Sequence, residues 1–461
     1  MARRSFVRAA ASLMLGRGAR RARRPNLLLI VVDALRADHL GCYGSAQGLT
    51  PAMDRLAQHG TLFSDVMSAS PTTGASHATL MTGTYPTRHT VVYNDGTIPD
   101  SLPCLAQVCR EAGYATAAFV SNEMLRPGYL AGIDRGFDAY DVDLPALERN
   151  RSAAYRDARD TVAAATRWLD ANSNRPFLIW THLMEPHGPY DVPEEALLDE
   201  VRHVPEVPGE PSTLPVGADN IAPGSIPRYQ VLGSERRPAE YRRRYAARVK
   251  YVDRCVGQLL DELAKQPGET LVVLTADHGE LLGEHGYYFQ HGITLSQPVL
   301  RVPLLFAGAG VPVNRRVQVP VGHADLMPTL LDLLGLSSDA ARARVQGRSL
   351  SALLKRRRGG RPAPIYAMCA VQAEWTVRHG SLKYLRSEWG DTGRDGLFDV
   401  AADPREEHDL SRDRPSEAKR LDDLLLRLKA ENPDLLSAVP AASADYSEEQ
   451  RERLRSLGYL D

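Results

Sequence analysis

Three aliphatic runs, each followed by side chains that can bind a metal or an anion, constrain the fold most strongly. They lie at residues 26–32, 177–180 and 271–274. Because such a run is apolar on both faces, each predicts a central strand of a buried, mostly parallel sheet. The first run ends in Asp33, and the third leads to Asp277 and His278. Ligands collect at the carboxyl ends of strands in such sheets, so we expect these side chains at one edge.

Helical segments alternate with these strands. Thr50 is a predicted N-cap before Pro51, and further helices are predicted at residues 103–112, 157–169, 241–263 and 325–334. This order predicts an α/β fold, in which helices cover both faces of a mostly parallel central sheet.

The composition changes near residue 354, and a Lys/Arg/Gly-rich stretch follows at residues 355–360. Short strands at residues 376–378, 382–385 and 396–400 and a helix at 416–429 predict a small C-terminal α+β subdomain with an antiparallel sheet. We therefore divide the chain into an N-terminal segment (1–24), a catalytic domain (25–354) and a C-terminal subdomain (361–461).

Charge and hydropathy exclude some partners. The net charge of −1 gives no reason to expect nucleic acid, and no apolar run approaches the roughly 20 residues of a membrane span. Residues 1–24 hold eight arginines and no acidic residue. They are either a twin-arginine export signal, which would direct the protein to the periplasm, or a disordered basic arm of a cytoplasmic protein; the sequence leaves both open.

The segment at residues 70–83 is rich in hydroxyl groups and ends in Thr82-Gly83. Serine and threonine favour helix starts and turns, so this segment is not expected to be a core element. A hydroxyl at a helix N-terminus lies where free N–H groups attract an anion. We hypothesise that Thr73 is a nucleophile held there beside a metal ion.

Four side chains form a candidate metal site: Asp33, Thr73, Asp277 and His278. Two carboxylates and an imidazole suit a divalent ion, with zinc or manganese favoured over calcium or magnesium. The ion would acidify the Thr73 hydroxyl. A carboxylate at a strand end is also a common helix cap, which is the competing interpretation of each Asp.

Motifs distributed from Pro25 to Asp461 carry a family resemblance. They are the run at residues 26–33 with 36–44, Thr82-Gly83 with 85–89, and the segments 186–190, 275–280, 283–286, 301–303, 347–350, 397–404 and 454–459. In this order they resemble the sulfatase family of the alkaline phosphatase superfamily.

Three positions depart from the sulfatase pattern. Sulfatases place Cys-x-Pro-Ser-Arg nine residues before the Thr of their Thr-Gly pair, and that Cys becomes a formylglycine nucleophile. Here Thr73 and His77 occupy the Cys and Arg positions, which implies that no formylglycine forms. Ala34 replaces a second Asp, and His278 stands where sulfatases often have Asn or Gln.

These departures resemble the nucleotide pyrophosphatase/phosphodiesterase branch, which uses a Thr nucleophile followed by x-x-Asn-His. The resemblance implies that Thr73 and His77 are catalytic. It also implies that Asn94 donates to a non-bridging oxygen of the ester, although Asn94 also fits an ordinary turn.

Three further histidines, His182, His187 and His291, are assigned to substrate binding. The Asp-x-x-x-His signature of a second zinc site is missing from the histidine-bearing loop that follows the run at 177–180. The three histidines therefore serve either a second metal or the substrate anion and protonation of the leaving group.

The sequence therefore predicts a metal-dependent hydrolase of sulfate or phosphate esters, in which Thr73 attacks in line. The substrate is a small-molecule, glycan or lipid ester. A phospho-headgroup transferase and a non-catalytic sulfatase-like binding protein are the alternatives. Seven prolines between residues 200 and 240 predict an irregular segment that is either a lid or a specificity loop.

Overall fold

A computed structural model describes residues 24–144, 155–201, 204, 207, 209–221, 223–338, 343–355, 360–387 and 395–435. The predictions for residues 1–23, an export signal or a basic arm, lie outside these residues, as does most of the stretch at 355–360. None of the described helices combines the length and the apolar character needed to cross a membrane.

An eight-stranded sheet in the order β13-β2-β12-β9-β1-β8-β5-β7 forms the centre of the molecule. Its strands are β1 (Asn26–Val32), β2 (Gly60–Phe63), β5 (Ala115–Phe119), β7 (Ala139–Asp141), β8 (Phe177–Leu183), β9 (Thr270–Ala276), β12 (Leu304–Gly308) and β13 (Arg315–Val317). The pairings of β1, β5 and β13 are parallel, and β12 pairs antiparallel with β2 and β9. Every residue of β1 and β8 is buried. The prediction of an α/β fold with a mostly parallel central sheet is confirmed.

Short strands form small pairs at the borders of this sheet. They are β3 (Val66–Met67) with β14 (Val321–Gly322), β4 (Gly96–Thr97) with β6 (Leu130–Ala131), and β10 (Leu281–Leu282) with β11 (Tyr288–Gln290). Because β8 extends to Leu183, His182 lies on a strand rather than in the following loop, where the sequence analysis placed it.

The helices have the following bounds: α1 (Pro51–Gln58), α2 (Thr73–Thr82), α3 (Pro86–His89), α4 (Leu105–Glu111), α5 (Ala158–Asn172), α6 (Ala196–Glu200), α7 (Pro238–Leu263), α8 (Gln297–Leu300), α9 (Leu326–Leu333), α10 (Ser351–Lys355) and α11 (Pro415–Lys429).

The α1 N-terminus is capped differently from the prediction. Thr50 accepts a hydrogen bond from the Gly41 N–H, and Asp253 on α7 accepts those of Ala52 and Met53, at 2.9 and 2.8 Å.

A four-stranded antiparallel sheet follows, in the order β15 (Ile365–Cys369), β16 (Glu374–His379), β17 (Leu382–Ser387) and β18 (Gly396–Asp399). Leu421 and Leu425 of α11 are buried in a cluster that also contains Trp375 of β16 and Ala69 and Tyr85 of the larger part. Strand β15 was not predicted. The division of the chain into domains stays a prediction.

Candidate active site

Asp33 and Asp277 meet because the two strands that precede them are neighbours in register. Val32 of β1 pairs with Ala276 of β9, so the next residue on each strand is a carboxylate at the same edge. His278 completes the group: its Nε2 lies 3.7 Å from Asp33 Oδ1 and 3.6 Å from Asp277 Oδ2. All three side chains are completely buried. The structure thus brings together three of the four predicted metal ligands.

Backbone and amide donors hold one oxygen of each carboxylate. Asp277 Oδ1 accepts from the N–H groups of Ala34 and His278, at 3.2 and 2.8 Å. Ala34 has a φ of 56°, in the left-handed region where a residue other than glycine is strained. Asp33 Oδ2 accepts from Asn122 Nδ2 at 2.9 Å. Asn122 was missed, although polar residues directly after a strand signal this edge.

The other two carboxylate oxygens, Asp33 Oδ1 and Asp277 Oδ2, have no hydrogen-bond partner among the described residues. A buried charged oxygen without a partner is costly unless a cation satisfies it. Asp33, Asp277 and His278 therefore form a group that fits a divalent metal ion, with these two oxygens among the ligand atoms. Burial opposes the charged form of His278, yet Asp277 and Asp33 raise its pKa above the ordinary value.

Thr73 is the first residue of α2, and its Oγ1 lies 3.4 Å from His278 Nε2. The fourth predicted ligand therefore adjoins the other three. The expectation that this segment avoids the core is wrong, because every residue of α2 is buried. Its hydroxyls are satisfied internally: Thr79 and Thr82 donate to the carbonyls of Ala75 and Ala78.

Asn94 lies against the same helix start. The Gly74 N–H donates to Asn94 Oδ1 at 2.9 Å. This close approach requires glycine, because a Cβ on residue 74 would lie 2.7 Å from Asn94 Cα. Asn94 is thereby held next to Thr73, and its role toward substrate stays a prediction.

His77 and His182 adjoin the carboxylates from the side of Trp180. His77 Nδ1 lies 2.8 Å from the Thr73 carbonyl and 3.8 Å from Asp277 Oδ2, and His182 Nε2 lies 3.3 Å from Asp33 Oδ2. Burial lowers the pKa of His77 to about 3 and that of His182 to about 4. Both rings are therefore neutral at pH 7, unlike the arginine that sulfatases place at the position of His77.

His187 and His291 form a second pair of rings, with centroids 4.7 Å apart, and His291 stacks on His278 at 4.2 Å. His291 Nδ1 lies 3.1 Å from Glu280 Oε1, and the Tyr190 hydroxyl donates to Glu280 Oε2 at 3.0 Å. Burial raises the pKa of Glu280 to about 8. Glu280 was missed as a site residue, although it ends the motif at residues 275–280.

A small cavity opens onto this group. Its lining includes Thr72, Asn94 and His291, together with Ile221 and Tyr229 of the proline-rich segment and Val371 of the C-terminal part. The Tyr229 hydroxyl donates to the Phe289 carbonyl at 3.1 Å, which holds the segment beside the cavity. These contacts place Ile221 and Tyr229 at the cavity, and the choice between a lid and a specificity loop stays a prediction.

Comparisons with known proteins agree with the motif order. The family model described as Sulfatase matches residues 25–336. A choline-sulfatase of Rhizobium meliloti is 27% identical over 427 residues, covering 83% of this chain and 81% of its own. A Δ4,5-hexuronate-2-O-sulfatase of Bacteroides thetaiotaomicron is 26% identical over 436 residues, covering 87% of each.

A solved structure, the phosphonate monoester hydrolase of Agrobacterium radiobacter, superposes with a TM-score of 0.67 at 21% identity. The match covers 88% of this chain and 96% of that one. At this identity the likeness shows the fold alone.

These comparisons correct one expectation about cofactors. Thr73 at the Cys position implied that no formylglycine forms, but the relatives are sulfatases, in which a formylglycine nucleophile is typical. The expectation that no formylglycine forms is therefore wrong. It rested on the position of one missing cysteine, whereas the relatives' family favours the modified residue. The preference for zinc or manganese is not supported by any contact described above.

Proposed function

This chain belongs to the sulfatase family, whose members hydrolyse sulfuric esters, and we propose that it cleaves sulfate or phosphate esters by in-line attack of the Thr73 hydroxyl. The observation that carries this proposal is the position of Thr73 Oγ1 at the start of α2, 3.4 Å from His278 and beside two unpartnered carboxylate oxygens. The positive end of the α2 helix dipole favours the negative charge that develops on the ester oxygens.

Asp33, Asp277 and His278 would hold a divalent ion in this site. When bound, the ion would supply Lewis-acid chemistry, lowering the pKa of a hydroxyl and drawing charge from an ester oxygen. Residues of the chain position the substrate. Asn94 is held beside Thr73 and presents its amide Nδ2 to a non-bridging oxygen.

In the first step a bond forms between Thr73 Oγ and the sulfur or phosphorus, and the bond to the leaving-group oxygen breaks. His187 or His291 passes to that oxygen the proton that the Thr73 hydroxyl loses. Glu280 favours a proton on Nδ1 of His291, which orients the ring. In the second step water attacks the sulfur or phosphorus, Thr73 Oγ leaves with a proton that this water loses, and sulfate or phosphate is released.

The substrate is proposed to be a small-molecule or glycan ester. By their names, the relatives above act on choline sulfate and on a 2-O-sulfated hexuronate. The cavity beside Asn94 and His291, which Ile221, Tyr229 and Val371 also line, is proposed to receive the sulfate or phosphate end of the ester.

The test is a substrate panel combined with a search for the covalent intermediate. Aryl sulfate, aryl phosphate, an aryl phosphodiester and an aryl phosphonate monoester would be supplied to the full chain, and turnover quenched with acid. We expect hydrolysis of at least one ester and a sulfo or phospho group on Thr73, detected by peptide mass spectrometry. An adduct on another residue, or an aldehyde at any of the five cysteines, would overturn the assignment of the nucleophile.

A further inference from the structure

We propose that Arg248 of α7 is a positioning residue for both histidines that are assigned to the leaving group, His187 and His291. Arg248 is completely buried, and it acts through the loop at residues 187–191, whose backbone it binds. The inference rests on the proposed function for the role of the two histidines in proton transfer. It does not require Thr73 to be the nucleophile.

Arg248 bonds both ends of this loop. Its Nη2 donates to the His187 carbonyl at 2.9 Å, and its Nη1 donates to the Asp191 carbonyl at 2.5 Å. Because the guanidinium carries its donors in a rigid planar fork, the two bonds fix the separation of the two carbonyls. The Tyr155 hydroxyl accepts a further bond from Nη1 at 3.0 Å, and the guanidinium carbon lies 5.3 Å from the centre of the Tyr155 ring. Both contacts hold the guanidinium in place.

Another buried arginine directs its donors differently. Arg378 of β16 bonds the Asp65 carboxylate through both Nη atoms. The ion pair of Arg248 is with Asp191, at 3.3 Å, and that carboxylate side chain is 46% exposed. Glu185 is also near Arg248, but burial raises the pKa of its carboxyl to about 8. A buried cation without a buried counter-charge costs folding free energy, so this arginine serves the backbone that it binds rather than a carboxylate.

The first consequence concerns His187 itself. Its N–H donates to the Met184 carbonyl at 2.9 Å, and its own carbonyl accepts from Arg248. Its Nδ1 lies 2.7 Å from the Gly188 carbonyl, which only accepts, so Nδ1 carries a proton. Nε2 is therefore the atom through which the ring takes up and passes on the proton of the reaction. If the His187 carbonyl moved, this ring would turn relative to His291, whose centroid lies 4.7 Å away.

The second consequence reaches His291 through Tyr190, which lies between the two carbonyls that Arg248 binds. The Tyr190 hydroxyl donates to Glu280 Oε2 at 3.0 Å, and Glu280 Oε1 lies 3.1 Å from His291 Nδ1. Tyr190 is completely buried, so a shift of the loop is passed to Glu280 rather than absorbed in solvent. One arginine on α7 thus fixes the orientation of both histidines.

The experiment compares leaving groups in the full-length, metal-loaded protein. Arg248→Lys keeps the charge, but a single Nζ cannot take both positions of the guanidinium fork. With an aryl ester that releases nitrophenolate, kcat should fall by less than about threefold, because this leaving group needs little protonation. With an alkyl ester it should fall by roughly 10- to 100-fold. Arg378→Lys is the matched control, and it should change the rates for both leaving groups by the same factor.

A second measurement is independent of activity. Histidine labelled with ¹³C at Cε1 gives one ring signal per residue in nuclear magnetic resonance spectra, and single His→Gln variants assign the signals. Arg248→Lys should shift the signals of both His187 and His291. Tyr190→Phe removes only the hydroxyl that reaches Glu280, so it should shift His291 and leave His187 in place. The signal of His89, whose ring bonds Thr79 and Val91, should stay unchanged in both variants.

The two measurements separate this inference from the proposed function. Equal rate losses for both leaving groups, no loss for the alkyl ester, or unshifted signals of His187 and His291 would overturn the positioning role of Arg248. If the wild type cleaves no ester, the proposed function fails, and the ring signals alone decide whether Arg248 positions the two histidines. Should Arg248→Lys fail to fold by circular dichroism, Tyr155→Leu makes the same test, because it removes the ring and hydroxyl that hold the guanidinium.

Discussion

Two regions of this molecule bury several charged groups, and they treat them in opposite ways. At the carboxyl edge of the large sheet, one oxygen each of Asp33 and Asp277, one nitrogen of His77 and both ring nitrogens of His182 have no hydrogen-bond partner among the described residues. Where the antiparallel sheet meets the loop before α8, buried charges are paired. Lys383 Nζ donates to Glu406 Oε1 at 2.5 Å and also to the Leu295 carbonyl.

Arg378 makes a two-pronged pair with Asp65 in the same region, and Glu374 accepts from the Leu295 N–H at 3.1 Å. Paired charges of this kind hold segments of the chain together. Unpaired ones cost stability and are kept where something outside the chain completes them. The burial of a charged side chain therefore does not by itself identify a binding site, whereas a buried charged atom without a hydrogen-bond partner does.

Changing the proposed nucleophile should have the largest effect. Thr73→Ala should lower kcat/KM by roughly 10³-fold or more, because the bond-forming oxygen is removed. Steady-state rates with the best ester of the panel would measure this. Thr73→Ser is the control, since it keeps the hydroxyl and should keep much more of the rate. Wild-type rates in Thr73→Ala would refute the assignment.

Breaking a paired charge should harm stability instead of chemistry. Lys383→Met leaves the Glu406 carboxylate buried without its partner, and this should cost about 3–5 kcal/mol of unfolding free energy. Denaturant unfolding would measure it. The matched control is Lys419→Met, which removes an exposed pair with Asp423 on α11 and should change the free energy by less than about 0.5 kcal/mol. Equal effects of the two changes would contradict the comparison.

Neutralising a carboxylate that has one oxygen without a hydrogen-bond donor should do the reverse. In metal-free protein, Asp277→Asn removes a buried charged oxygen that has no hydrogen-bond donor and should raise the unfolding free energy by about 1–3 kcal/mol. The same change should abolish the stabilisation that added metal gives the wild type. Thermal and denaturant unfolding with and without metal would show both. A loss of stability in the metal-free variant would mean that the carboxylate is structurally paired.

A further prediction concerns acid stability. Burial lowers the pKa of His89 to about 3 from an ordinary value of 6.5. Between these values the unfolded chain binds the proton and the folded one does not, so stability falls as the pH is lowered from 6.5 towards 3. This one group contributes about 1.4 kcal/mol per pH unit well inside that range.

His89→Gln removes that titration. Unfolding free energies of metal-free protein measured from pH 7 to 4.5 should therefore fall less steeply in the variant than in the wild type. Parallel curves would show that His89 is not kept neutral by burial. Both ring nitrogens of His89 already have hydrogen-bond partners in Thr79 and Val91, so His89→Gln should leave the metal content of the protein unchanged.

Part of the site was predictable because it depends on strand ends. Asp33, Asp277 and His278 follow aliphatic runs, and the carboxyl ends of neighbouring parallel strands share one edge. The resemblance placed Thr73 at the nucleophile position by its spacing to Thr82-Gly83, and its role stays a prediction. The buried state of α2 was not, because hydroxyls that bond back to the carbonyls four residues earlier make a polar sequence compatible with the core.

The sequence by itself determined the α/β alternation, the central strands and the residues at their ends, since periodicity and turn signals are local properties. Only the tertiary structure decided which polar atoms find partners. His182 is opposite Val31 in the register of β8 and β1, and this puts its ring beside Asp33, about 150 residues away in the chain. Glu280 and Asn122 likewise gain their partners from packing. Distances between residues far apart in the chain follow from register and packing, which no local pattern contains.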